Sequence, residues 1–179
     1  MRRAESDEVD AVLRQHGNSV WRLIVRILGT DGHDAADCFQ QAFVELVERH
    51  RRSNDVDEVV ALLKRIATNR AIDVVRRRIR ERGRSQEFGQ SQVMSRAEFD
   101  PAVQAEAAEF LGELRDALAE LPDQQSAAFV LTQMENLPNN QAAVAIGVSV
   151  NHVGVLIHRA RAALRVRLDS YKPVRAPRP

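Results

Sequence analysis

The stretch Ile66-Ala-Thr-Asn-Arg-Ala-Ile-Asp-Val-Val-Arg-Arg-Arg-Ile-Arg-Glu-Arg82 runs without proline or glycine until Gly83. Ile66, Ala67, Ala71, Val74 and Val75 recur at steps of three and four, so a helix here can bury one face. The other face carries Arg70, Arg76, Arg77, Arg80 and Arg82, with Arg78 at its edge. From Lys64 to Arg84 nine basic side chains stand against Asp73 and Glu81, a local excess of about +7. A charge run alone reads as a solvated face. A helix with its own apolar anchor instead holds its charges as a rigid surface, which suits a polyanion such as nucleic-acid phosphates.

Charge along the rest of the chain is unevenly shared, although the net value is only +1. Residues 98–123 hold eight carboxylates against Arg115, about −7, and residues 154–179 hold six Arg and Lys172 against Asp169, about +6. This order of basic, acidic and basic blocks predicts two parts that face a polyanion, and the acidic segment could fold back on a basic face in a closed resting form. Cys38 is the single cysteine, which excludes an intrachain disulfide and suits a reducing interior. The first residues turn acidic before any apolar run, unlike a signal peptide. No apolar run approaches the roughly 20 residues of a membrane span. The expectation is a cytoplasmic protein with no membrane insertion.

Ser6-Asp7-Glu8 reads as a helix start, and Val9, Val12, Leu13, His16, Val20, Leu23, Ile24, Ile27 and Leu28 form a stripe ending at Gly29. Gly17 inside it costs about 1 kcal/mol relative to Ala and predicts a soft point. His16, on the stripe, reads as a packed histidine. A second helix opens at Asp31-Gly32, with the stripe Ala35, Phe39, Ala42, Phe43, Leu46 and Val47. Residues 49–57 read as a loop, and a third element covers about 57–82 as one helix or two. Together they predict a helical bundle over residues 7–82. Gly, Ser and Gln then mark a flexible linker at 83–100.

Asp100-Pro101 restarts a helix as N-cap and first helical residue, and Val103, Ala107, Phe110, Leu111, Leu114, Leu118 and Leu121 carry it to Pro122. A helix around Ala127–Met134 follows, then a shorter one over 140–146 closed by Gly147, then a helix capped by Ser149. This is a helix-turn-helix layout within a second helical domain over 101–170; the Pro-rich residues 171–179 read as a disordered tail. The fold class expected is all-α, two small helical domains on a flexible connector.

In the last helix Val153, Ile157, Ala160, Leu164 and Leu168 form the inner face. The outer side offers Asn151, His152, Gly154, Val155 and Leu156, followed by Arg159, Arg161, Arg165 and Arg167. In a helix-turn-helix such residues read base edges first and hold phosphates afterwards.

These blocks resemble a small sigma factor of bacterial RNA polymerase, in the extracytoplasmic-function group of the sigma-70 family. The resemblance rests on His33-Asp-Ala-Ala-Asp-Cys-Phe-Gln-Gln-Ala-Phe43, on Ile66 through Arg78, on Leu118-Ala-Glu-Leu-Pro122, and on Val153 through Arg165, in the family's order. It implies that residues 34–43 dock on the clamp helices of the polymerase's largest subunit, with Asp37, Gln40 and Gln41 as candidates. It implies a −10 recognition helix at 66–82, where Asn69 and Arg70 face promoter DNA and Arg76, Arg77 and Arg80 hold phosphates. Residues 51–60 correspond to the lid over a flipped base, whose extrusion costs a few kcal/mol. The helix over 149–168 resembles the −35 reader, giving Asn151, His152, Val155, Leu156, Arg159 and Arg161 as DNA-facing. Core polymerase and promoter DNA are the implied partners, and an anti-sigma protein is a third that the family allows.

Some positions depart from the family. Val59, Val60 and Leu62 replace frequent aromatics, so stacking of about 1–3 kcal/mol per base is missing or supplied otherwise. Gln41 replaces a frequent Glu, and Leu156 stands where a basic residue is common. Apolar contacts to thymine methyls, or a protein partner, would suit the 151–156 segment. His152 and His158, and separately His33, Cys38 and His50, lack ligand spacing, so no metal is expected. With no phosphate loop or nucleophile motif, neither a cofactor nor a catalytic site is expected. The alternatives are a stand-alone helix-turn-helix regulator and a module whose basic helix grips an acidic protein.

Overall fold

The structure, a computed structural model, describes residues 2–29, 32–49, 56–84 and 101–169, with side chains described over 11–29, 32–49, 56–83 and 107–169. The described residues form seven helices. These are α1 (Arg2–Leu28), α2 (Gly32–Arg49), α3 (Val56–Arg84), α4 (Pro101–Glu120), α5 (Asp123–Phe129), α6 (Asn139–Ile146) and α7 (Val150–Arg167). No strand occurs among the described residues, and none of their helices is singly long and apolar enough to cross a membrane.

Three helices make the N-terminal bundle because each shows an apolar stripe to the other two. Val20, Leu23, Ile24 and Ile27 of α1, Ala35, Ala42 and Leu46 of α2, and Leu63, Ile66, Ala67 and Ala71 of α3 are all essentially sealed from solvent. The alanines let the helix axes approach, and the branched residues fill the space between them. Trp21 meets Phe39 edge-on, with centroids 5.8 Å apart, and Phe39 tilts against Phe43 at 4.9 Å. α1 runs unbroken through Gly17, where a Cβ would lie 3.5 Å from Phe39 Cζ and 3.3 Å from Leu13 Cδ1. α1 ends at Gly29, whose φ of 82° lets its N–H reach the Val25 carbonyl at 2.8 Å.

The third element is a single helix, starting at Val56 and passing through Gly83. Residues 56–60, expected in a loop, therefore belong to α3; residues 51–55, 85–100 and 170–179, which carry the rest of the lid, most of the linker and the tail, lie outside the described residues. Val59 is buried, and Val60 and Leu62 pack against the core. They build the bundle rather than a stacking platform. Val47 corrects the reading of α2: it is 56% exposed, with Val44 beside it, while Cys38 takes an inner position. Leu13 is likewise outward, at 40% exposure.

α4 continues the same core. Its Ala117, Leu118 and Ala119, with Leu121 and Val130, join the cluster made by α1–α3, as do Ala160 and Leu164 of α7. α5 ends in a π-helical turn, Val130–Met134, marked by the Glu135 N–H reaching back to Val130 O at 3.0 Å. Asn136, with φ 55°, then reverses the chain. A second cluster, in which Ala127, Leu131, Ala142, Ile146, Val153 and Ile157 are buried, also takes in Ala61 of α3.

Gly17→Ala should stabilise the fold by about 0.5–1 kcal/mol, because the helix gains a better former and the exposed tip of Leu13 can yield. Leu46→Ala should cost about 2–5 kcal/mol through the cavity it leaves. Thermal melts of the two variants check both signs.

Candidate nucleic-acid interface

Two cationic helices carry the candidate residues, and the core decides how each is turned. On α3 the buried residues Ala67, Ala71 and Val75 aim Arg77, Arg80 and Arg82 outward. Arg77 is exposed yet touches α2, its Nη2 donating to Asp34 Oδ1 at 3.0 Å. Arg78 donates Nε and Nη2 to the other oxygen of Asp34, at 3.0 and 2.6 Å, and Nη1 to Leu28 O at 2.9 Å. Burial works to raise the Asp34 carboxyl, but the Arg78 hydrogen bond and the charges of Arg78, Arg77 and His33 together set it below its ordinary value of 3.8.

Arg70 and Arg76, expected to face DNA freely, are engaged inside the chain. Arg70 donates Nε to Glu45 Oε2 at 2.8 Å and Nη1 to Gln41 Oε1 at 2.8 Å. Glu45 also takes Arg49 of its own helix at 2.8 Å, while its bond to Arg70 ties α2 to α3. Arg65, half-buried against this group, has a lowered pKa through desolvation first and the charge of Arg49 second, with Glu45 opposing. Arg76 reaches across to the C-terminal half, with Nε on Ala119 O at 2.8 Å, Nη2 on Leu121 O at 2.7 Å and Nη1 on Asp123 Oδ1 at 2.7 Å. Asp73 supports the same guanidinium at 3.1 Å. Asn69 is half-buried on α3, and its buried Oδ1 has no hydrogen-bond partner.

On α2, Asp37, Gln40 and Gln41 are exposed, and Val44 and Val47 continue that surface. Asp37 pairs with His33, at 3.5 Å on the adjoining turn. Gln41 is the member spent on α3, through Arg70. Cys38, beneath them, has its thiol pKa raised by burial first and by the Asp34 charge second, so it stays a neutral core group.

The helix-turn-helix forms as its turn chemistry dictates. Gly147 adopts φ 78°, its N–H on Ala143 O at 2.9 Å, and Ser149 Oγ accepts the His152 N–H at 3.3 Å to start α7. α6 and α7 cross at 92°. Asn151, His152, Val155 and Arg159 are exposed on α7. Leu156, expected on that outer side, is instead buried at 3% exposure: three residues after Val153, it shares the inner face with Ile157 against α5 and α6. Arg161 is exposed but turned back, its Nη2 bonded to Gln133 Oε1. Gly154 has open space where a Cβ would stand. Sequence reasoning missed the polar clasp of Glu135 with Arg26 at 3.0 Å and Lys64 at 2.9 Å, since nothing local marks residues so far apart in the chain as partners.

The arrangement offers an outward set of arginines near the end of α3, a Ser149-capped helix with an exposed first turn and a polar-apolar face on α2, with no metal-ligating cluster among the described residues. Against known proteins, the family model described as Sigma-70 region 2 matches residues 12–81, and that described as Sigma-70, region 4 matches residues 111–164. The ECF RNA polymerase sigma factor SigE of Mycolicibacterium smegmatis is 33% identical over 156 residues, covering 87% of this chain. The chain spans 60% of the length of that relative. The ECF RNA polymerase sigma factor SigM of Bacillus subtilis is 28% identical over 157 residues, covering 88% of this chain and 93% of SigM. Among solved structures, CnrH in complex with the cytosolic domain of CnrY shares the fold at TM-score 0.56 and 24% identity, over 96% of this chain and 92% of that one. The sigma factor RpoE in complex with the anti-sigma factor NepR from Bartonella quintana does so at TM-score 0.53 and 20% identity, over 91% and 98%.

Asp34 supplies a pH test of the α2–α3 contact. Its lowered pKa contributes stability that is present above 3.8 and lost as pH falls through the lower folded value. Asp34→Asn should therefore lower the melting temperature at about pH 7, and its deficit should shrink as the pH drops below the ordinary carboxylate value. A deficit that stays constant into acid would remove the ion pair from this account.

Proposed function

The chain belongs to the extracytoplasmic-function group of the sigma-70 family, and from that premise we propose that it is a promoter-specificity subunit of RNA polymerase acting in the cytoplasm. The observation that carries the reading is a coincidence of surface and family. Arg77 and Arg80, outward on α3, fall within the region 2 match, and the exposed start of α7 falls within the region 4 match.

The roles divide by chemistry. Asp37, Gln40 and Gln41 on α2, extended by Val44 and Val47, dock on the clamp helices of the polymerase's largest subunit. Asn69, half-buried on α3, is the side chain assigned to a promoter base. Arg77 and Arg80 hold the strand's phosphates, joined by Arg70 and Arg76 once their present partners release them. On duplex DNA upstream, Asn151, His152 and Val155 meet base edges, where Val155 suits a thymine methyl, and Arg159 and Arg161 meet phosphates. The N-terminal bundle, the second helical domain and the connector of residues 83–100 divide these tasks. The chain does no chemistry of its own: binding energy from these contacts offsets the cost of opening the duplex. An anti-sigma protein is a further partner under this reading, as the anti-sigma factor NepR is for RpoE.

Run-off transcription with purified core enzyme is the test. Promoter-dependent initiation should appear only when the chain is added; a stand-alone regulator or a protein-binding module would give none. Arg77→Ala with Arg80→Ala should reduce promoter opening by about tenfold or more while core binding stays within about twofold, since each lost phosphate contact weakens the DNA step alone. Equal loss in both steps would return these arginines to a structural role.

A further inference from the structure

A short run of hydrogen bonds joins the π-helical turn at Val130–Met134 to the middle of α7. Thr132, buried, donates its hydroxyl to Ala128 O at 2.7 Å. The same hydroxyl oxygen accepts from Gln133 Nε2 at 3.0 Å, and Gln133 Oε1 accepts from Arg161 Nη2. Each group has one consistent part. A guanidinium only donates, so the amide must turn its oxygen toward Arg161; its nitrogen then faces Thr132, whose own hydrogen is spent on the Ala128 carbonyl. Gln133 and Arg161 are exposed, so the run reaches from core to surface, and the packed turn sets where the Arg161 tip stands.

The charge of the acceptor matters as much as its place. Glu45 holds Arg70, Asp116 holds Arg82 at 3.1 Å, and Glu135 holds Lys64 in a nearly dry pair, the two side chains 9% and 13% exposed. In each of these a carboxylate offsets the cation. Gln133 fixes Arg161 without offsetting it. Ser149 through His158 contain no Lys or Arg, so Arg159 and Arg161 are the first cations of α7. We propose that Gln133 is a positioning residue for DNA: it presets the Arg161 guanidinium, its charge intact, for a backbone phosphate of the upstream duplex. The inference rests on the reading of α7 as the DNA-facing helix and adds to it a residue outside α6 and α7. A free arginine gives up rotamer freedom when it meets a phosphate; here part of that freedom is already lost on folding. The remaining N–H groups of the fork stay available, and phosphate takes arginine by two parallel N–H bonds.

The test uses the full chain and a fluorescent mixed-sequence duplex, with affinity measured across a salt series, because phosphate contacts do not depend on sequence. Gln133→Leu removes the acceptor without adding charge. It should weaken duplex binding by about threefold and leave the salt slope unchanged, since Arg161 still reaches its phosphate but unguided. Gln133→Glu turns the acceptor into a carboxylate. The fold should melt no lower, while duplex binding falls by about tenfold and the slope of log affinity against log salt becomes shallower by about 0.9, the share of one phosphate. In an Arg161→Ala background, Gln133→Leu should change binding by less than about 1.5-fold, because the two residues act as one unit. Unchanged binding by Gln133→Leu, or a loss of equal size with and without Arg161, would overturn the positioning role; so would full binding and an unchanged slope in Gln133→Glu. Duplex affinity indifferent to Arg161→Ala alone would remove this residue from the DNA face, and the proposal with it. Coupling of Gln133 with Arg161 but no run-off transcript would keep the positioning and sink only the polymerase role.

Discussion

α3 is a shared wall, and the rest of the molecule depends on its being buried along much of its length while carrying a dense row of cations. Ile66, Ala67 and Ala71 close the bundle with α1 and α2, and Ala61 enters the core of the helix-turn-helix. A helix in that position cannot shed its charge to solvent on every side. Several of its basic residues are therefore met by carboxylates or carbonyls: Glu45 for Arg70, Asp34 for Arg77 and Arg78, Glu135 for Lys64, and α4 with Asp123 for Arg76.

These partners fall into two classes with different consequences. Asp34 and Glu45 come from α2, within the same bundle, and their pairs brace α3 however the C-terminal half is placed. Glu135, Asp123 and Asp116 come from the other half, so their pairs exist only while the two halves touch. Exposed pairs of this kind contribute little each, about 0–1 kcal/mol. A dry pair such as Lys64–Glu135 acts less as glue than as a condition: both charges must be present for the surfaces to meet.

Much of this was legible in the sequence, because apolar spacing and turn residues report directly on local geometry. The helix over 66–82, the cap at Ser149, the reversal at Gly147 and the restart at Pro101 follow from residue type and position alone. The misreadings share one cause, which is that a stripe does not reveal how wide a face its neighbours will cover. Leu156 stands one step from a stripe already complete with Val153 and Ile157, and α7 buries it because two helices meet that side. Val47 continues the α2 stripe on paper, yet α1 and α3 reach only as far as Phe43 and Leu46. The acidic and basic blocks were plain as sums. Their partners were not, because Arg76 and Asp123 are joined by packing across 47 positions of the chain.

The widened turn at Val130–Met134 is a matter of register as well as shape. It holds one residue more than an α-helical turn, so every group beyond it is rotated by about 100° from where a regular helix would put it. Deleting a single residue there would let the segment relax to ordinary winding and swing the Glu135 carboxylate away from both of its cations, although no side chain had been changed. The length of this turn is thus a setting in its own right, and chains of nearly the same composition could differ in whether their two halves close simply by a one-residue gap.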